Sequence, residues 1–292
     1  MEIFLKYFIP FTMSFIMFGI GLNLQLGDFK RVFLRPKGIL FGLFGQLILM
    51  PSFGILVAYL SPIDPIYKLG IVLITACPGG MSSNLITYLL RGRVALSVSI
   101  TAFNSFLIIF SIPFFIHYGS QLFLANDQLV QLSFIDTFYE ISLTVIIPII
   151  LGMIANQKLK GFSNILKPKL KWLLPSLLFI TFALVILTEE NKNPEVHFSM
   201  SLTYLILIVF IINIGIMIIG FISSGWIGMN NQERMTIAIE FGLQNTALAI
   251  FLAHQVLKIP DLATISVIYG SFSFFTTFGV AYLMKKNSKP AW

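Results

Sequence analysis

Apolar runs of about 17 to 25 residues return along the whole chain, separated by short polar stretches. An α-helix rises about 1.5 Å per residue, so each run is long enough to cross a hydrocarbon core of about 30 Å. Segments of that length need a backbone paired within themselves. The alternating ten-residue pattern of a membrane barrel is missing, so the runs are expected to be helices. With 57% hydrophobic residues, 11% charged residues and a mean hydropathy of +0.90, a water-soluble globule is excluded. The expected fold class is an all-α polytopic membrane protein with a single membrane domain over 1–292.

Nine spans are expected, at 7–26, 38–60, 69–90, 94–116, 138–157, 171–188, 202–224, 235–257 and 264–284. Fifteen of the nineteen Lys and Arg residues fall in the loops after odd-numbered spans or in the C-terminal tail. Only Lys6, Lys68, Lys192 and Lys258 lie on the other side. The positive-inside rule therefore puts the N-terminus outside and the C-terminus in the cytoplasm, in a cell membrane. This topology accounts for the formal charge of +7, and nucleic acid is not expected as a partner. The opening residues run straight into the first span without a cleavage pattern and are read as mature sequence. The stretch 119–138 reads either as a short amphipathic helix on the outer surface or as an ordinary loop. Cys77 is the only cysteine, which rules out an intrachain disulfide and a tetrathiolate metal site.

Eleven of the twelve acidic residues sit in loops or near span ends, and Glu240 is the exception. It lies within "IAIEFGLQNTALAIFLA", where insertion of a charge near a helix centre costs about 2.5 to 3.5 kcal/mol. A protonated, hydrogen-bonded Glu is one resolution and a bound cation is the other. Gly242, Gln244 and Asn245 follow, offering a point where the helix opens and turns carbonyls inward. Carboxylate and carbonyl oxygens are hard ligands, suited to an alkali or alkaline-earth ion.

A second interruption occurs in "LITACPGGMSSNLITYLL", where Pro78, Gly79 and Gly80 break the third span ahead of Ser82, Ser83 and Asn84. Spans two to four and seven to nine then form two three-helix units, each with a broken middle helix, running in opposite senses. This is the pattern of an inverted repeat that binds ions and solute near the midplane. Ser97 and Thr101, four apart, share a face of span four with Ser99 nearby, although such hydroxyls often bond their own helix. Gln46 is a mid-span amide, while Asn104 and Asn213 read as packing residues. His117, His197 and His254 lie at outer loops or a span end, which favours neither a histidine metal site nor a proton relay. No paired nucleophile and base or nucleotide loop is found, so an enzyme is not expected.

"CPGGMSSNLITYLLRGRVALSVSIT" and "EFGLQNTALA" closely resemble the bile acid:sodium symporter family, as do "FIMFGIGLNLQLGDF" and "GQLILMP". The resemblance covers nearly the whole chain. It implies a core domain (38–116 and 202–285) with two crossing broken helices, moving against a panel domain (1–30 and 138–190), in a nine-span form. It implies one sodium site from Ser83, Asn84, Ser97, Thr101 and Glu240. A second would use Gln46, Glu240 and Gln244 with carbonyls of Phe241 and Leu243. Solute contacts would come from Met81, Ser82, Asn245, Tyr269 and Gly270. Met81 stands where several bacterial relatives have Thr, and Tyr269 and Gly270 where some have a His-Asn pair, so the solute side departs from the pattern and the ion ligands do not.

The implied function is sodium-coupled symport of an organic anion, bile acid-like or a small carboxylate such as pantoate. Sodium is the coupling ion, no cofactor is expected, the lipid bilayer is the environment and a monomer is the expected working unit. Two other carriers remain open, a proton-coupled one titrating Glu240 and a metalloid oxyanion exporter using Cys77.

Overall fold

The computed structural model describes residues 2–29, 36–124, 134–161, 163–170, 173, 176–177, 180 and 202–287. Among them the regular structure is entirely helical. Helix α1 covers Glu2–Asn23, and α2 covers Pro36–Leu60 with a π turn at Gly45–Leu49. The third apolar run divides into α3 (Pro65–Ala76) and α4 (Met81–Leu89), followed by α5 (Val94–Phe123). Helix α6 starts as Phe134–Ile141, passes a π turn at Ser142–Ile146 and finishes as Ile147–Lys158. After α7 (Leu202–Trp226), the eighth run divides into α8 (Asn231–Gly242) and α9 (Thr246–Phe251), which continues through a π turn to Val256. Helix α10 (Ala263–Asn287) is the last.

Local chemistry sets these boundaries. Asp64 caps α3 by accepting from the Ile66 amide at 2.9 Å, with Pro65 at the first helical position, where a missing N–H costs nothing. Helix α3 stops because Pro78 pushes Cys77 into an extended conformation (φ −87°, ψ 108°). Helix α8 begins with a capping box. Asn230 accepts from the Glu233 amide at 3.0 Å, and the Glu233 carboxylate accepts from the Asn230 amide at 3.2 Å.

Helices α1 and α6 pack along each other at backbone contact. A methyl group at Gly21 would strike the Ile149 carbonyl of α6, and one at Gly152 would strike the Phe18 carbonyl of α1. Helix α7 packs against α8 and α10, while α3 packs between α2, α5 and α10. An ion pair between Arg93 and Glu233, with the Arg93 amide donating to the Thr236 hydroxyl at 2.8 Å, joins the start of α5 to α8.

Among the described residues, six helices are long and apolar enough to cross a bilayer, and Tyr7–Asn23 and Pro65–Ala76 are shorter apolar helices. Large apolar side chains stand exposed along their outer faces, among them Leu40, Phe44 and Ile48 on α2 and Leu207, Phe210 and Ile211 on α7. Water would penalise so extensive an apolar exterior, whereas lipid tails solvate it. The chain is a multi-pass membrane protein.

The structure alters one expectation of extent. Residues 119–123 prolong α5 and Phe134 opens α6, so the described ends of 119–138 belong to long helices and not to a separate surface element. The expected sixth span, 171–188, lies outside the described residues apart from 173, 176–177 and 180.

A buried carboxylate where two helix breaks meet

The two interrupted runs touch at their interruptions. The Asn245 amide, between α8 and α9, donates to the Pro78 carbonyl at 3.1 Å. Gly79 lies against the Leu243 carbonyl so closely that an added Cβ would sit 2.7 Å from that oxygen. Each break therefore supplies a partner or a space that the other needs, and a bulkier residue than Gly79 would force them apart.

Ending α8 at Gly242 leaves its last carbonyls without helical donors, and in a membrane interior each needs a substitute. The Ile239 carbonyl accepts from the Leu243 amide at 3.1 Å. The Glu240 carbonyl accepts from the side-chain Nε2 of Gln46 at 3.0 Å, and the Phe241 carbonyl from the side-chain Nε2 of Gln244 at 2.7 Å. The Gly242 carbonyl collects Asn213 at 2.6 Å, the Tyr269 hydroxyl at 2.7 Å and Thr277 at 3.1 Å. Side chains from α2, α7 and α10 thus hold the break open.

The Glu240 side chain is completely buried in this junction. Ser97 donates to one carboxylate oxygen and is also 2.6 Å from the Asn84 Oδ1. Thr101 reaches the other carboxylate oxygen at 3.5 Å and Gln46 Nε2 at 3.4 Å. Ser83, buried, bonds the Gly80 carbonyl at 2.7 Å. Ser99 faces elsewhere and bonds back to the Ala95 carbonyl at 2.8 Å. The structure therefore brings Gln46, Ser97, Thr101 and Glu240 into one cluster, with Asn84 bridged to it through Ser97. Two buried acceptors, Gln46 Oε1 in this cluster and Gln244 Oε1 in the break two residues past α8, have no hydrogen-bond partner among the described residues. Oxygens of that kind at the edge of a buried carboxylate suit a hard cation, and sodium fits this donor set.

A cavity of about 610 Å³ opens against the cluster. Asn84, Thr101 and Gln244 belong both to the cluster region and to the cavity wall. Ser82 and Asn245 line it as well; the Asn245 side-chain oxygen caps α9 through the Leu248 amide at 3.1 Å. The opposite wall comes from Ile16, Ile20 and Leu24 of the α1 region together with Lys167 and Leu170. Thr246 and Lys167 are lining residues that sequence reasoning passed over.

Tyr269 and Gly270 lie apart from the described lining of the cavity. The Tyr269 side chain is fully buried away from the cavity lining, and its hydroxyl donates to the Gly242 carbonyl. The freed carbonyl of the break claims this hydroxyl. Gly270 packs against Thr246, where an added Cβ would lie 3.2 Å from the threonine Cγ2, and it is likewise outside the lining. Met81 is the first residue of α4, and its side chain lies outside the described portion. Cys77 is fully buried and also outside the lining. Tyr269→Phe is expected to lower stability by about 1 kcal/mol, the net worth of one hydrogen bond, while changing the KM for solute less than about twofold; thermal unfolding and uptake kinetics on the same preparation check both.

The sequence pattern described as the Sodium Bile acid symporter family matches residues 10–195. A probable sodium/metabolite cotransporter of Oryza sativa subsp. japonica chloroplasts (BASS1) is 32% identical over 83% of this chain and 57% of its own length. A sodium-dependent transporter of Bacillus subtilis (strain 168), YocS, is 31% identical over 84% of this chain and 73% of its own. The human ileal sodium/bile acid cotransporter is 24% identical over 97% of this chain and 81% of its own. The chain spans little more than half the length of the plant relatives it matches. With the family pattern covering more than half of its residues, this chain belongs to the sodium bile acid symporter family, a family of membrane transporters and not of enzymes.

Proposed function

We propose that the chain is a secondary transporter that couples sodium entry to uptake of an organic anion by alternating access. The observation that carries this reading is the pair of buried carboxamide oxygens without partners among the described residues, Gln46 Oε1 next to the buried Glu240 carboxylate and Gln244 Oε1 in the break between α8 and α9, where two broken helices touch. One sodium ion would take Ser83, Asn84, Ser97, Thr101 and Glu240. A second would take Gln46, Glu240 and Gln244 with the carbonyls of Phe241 and Leu243. The names of the relatives, which describe sodium-dependent carriers of metabolites or bile acids, support the same class of cargo.

In this reading nine spans cross a cell membrane, with the N-terminus outside and the C-terminus in the cytoplasm. Spans two to four and seven to nine form a core of two inverted repeats (38–116 and 202–285). Spans one, five and six form the panel (1–30 and 138–190). The cavity between α1 and the helix breaks lies along that division. Sodium would neutralise Glu240 and draw the oxygens of both breaks inward, locking their contact. The polar wall of Ser82, Asn84 and Asn245 is then presented to the anion, next to the bound cations. Each net charge moved inward gains about 2.3 kcal/mol per 100 mV, so two sodium ions with a monoanion concentrate solute strongly.

A proton is the competing coupling ion, because Glu240 is the acid inside a span and no basic side chain bonds it among the described residues. Radiolabelled uptake of pantoate and cholate into proteoliposomes separates the two. Sodium coupling predicts a fall of at least about tenfold when sodium is replaced by choline at fixed pH. Uptake that ignores sodium but follows a pH gradient contradicts it. Retention of transport by Cys77→Ser, which the cavity geometry favours, dismisses thiol-based export of a metalloid oxyanion.

A further inference from the structure

Among the described residues lining the cavity, Lys167 is the one charged side chain. The charge pattern of the sequence accounts for it as a loop residue following α6, yet the fold brings it back over the end of α1. Its ammonium donates to Asn156 Oδ1 at 2.8 Å. Asn156 Nδ2 in turn donates to the Leu24 carbonyl at 3.0 Å. The chain Lys167–Asn156–Leu24 ties the helical stretch 163–170 to α6 and to the residue just past α1. Asn156 is a neutral acceptor, so it orients the ammonium without cancelling its charge, and two of the three N–H donors remain for another partner. No carboxylate pairs with Lys167 among the described residues.

We propose that Lys167 is the counter-charge for the solute in this cavity, receiving the carboxylate of a monoanionic organic acid while Asn156 holds the ammonium in place. This rests on the symport reading of the same cavity and adds a specificity-determining residue to it. The rest of the lining sets the class of solute. Ile16, Ile20, Leu85, Val98, Leu170 and Ala247 make the walls largely apolar, so an acid with an apolar body fits better than a polyhydroxylated or multiply charged one. The volume of about 610 Å³ admits a drug-sized molecule. Bound sodium at the helix breaks and Lys167 on the facing wall would then flank one negative charge with positive ones.

The test is equilibrium binding to the full chain in lipid nanodiscs at saturating sodium. The probes are radiolabelled cholate, radiolabelled pantoate and the neutral primary amide of cholate. Lys167→Met keeps the apolar stem and removes the charge. It is expected to weaken binding of the acid that the wild type binds by about tenfold or more, with binding of the amide changed less than about threefold. Lys167→Arg is expected to restore acid binding to within a few-fold of wild type. The sodium concentration for half-maximal thermal stabilisation stays unchanged in both variants, which shows that they are folded. Acid binding by Lys167→Met within twofold of wild type overturns this inference alone. Equal weakening of acid and amide also overturns it, because that marks a packing role. Wild-type protein that binds neither acid in sodium overturns the organic-anion reading as well.

Discussion

Glu240→Ala is expected to bring sodium-driven uptake down by at least about a hundredfold, to the level of protein-free liposomes. The Glu240 side chain is fully buried, and among the described residues the side chains bonded to it, Gln46, Ser83, Ser97 and Thr101, are all neutral. A cation in that position depends on this carboxylate for its compensating charge. Removing one partner of a buried charge pair costs about 3 to 5 kcal/mol, and each 1.4 kcal/mol is a factor of ten. Glu240→Gln retains the shape and still offers a hydrogen-bonding oxygen, so it should fold as well as wild type and fail to transport to the same degree. Uptake by either variant within threefold of wild type would remove Glu240 from the ion site.

Gly45→Ala is the second large effect. An added Cβ at Gly45 would enter the space of the Phe241 ring. The ring cannot retreat, because Gly220 supports its other side, where a Cβ would lie 2.6 Å away, and Phe241 is fully buried. Overpacking of this kind costs about 1 to 3 kcal/mol or more, and here it falls on the last turn of α8, beside the Glu240 and Phe241 carbonyls. The expected result is a lowered melting temperature together with at least about a tenfold loss in apparent sodium affinity. Phe241→Leu combined with Gly45→Ala should recover part of both, since the smaller side chain leaves room for the methyl. A double variant that is merely the sum of the two single losses would contradict the steric argument.

The breaks were legible in the sequence because they are written in local chemistry. Pro78 with Gly79 and Gly80 cannot continue a helix, and Glu240 ahead of Gly242 and two amides is anomalous in any apolar run. Helical spacing likewise put Ser97 and Thr101 on one face, and both meet the Glu240 carboxylate. The contact of Tyr269 is not legible in the sequence, because it depends on a carbonyl 27 positions away that is free only when α8 ends at Gly242. Asn213 reads as a packing residue for the same reason, yet it serves that carbonyl from α7 at 2.6 Å. Lys167 reads as a loop residue from its flanks, and only the tertiary path of 163–170 over α1 brings it into the cavity. The π turns in α2 and α6 lie just ahead of Pro51 and Pro148, whose missing N–H removes a bond of the helical ladder, whereas the one in α9 has no such proline.

The most direct test of a cation held by Glu240 is a sodium titration of thermal stability at constant ionic strength, with choline making up the difference. A ligand that binds only the folded state raises stability as the logarithm of its concentration above Kd. The wild type should show that logarithmic rise in sodium and none in choline, and Glu240→Gln should give a flat line in both. A wild type indifferent to sodium, or a Glu240→Gln curve that climbs in parallel with it, would contradict the account.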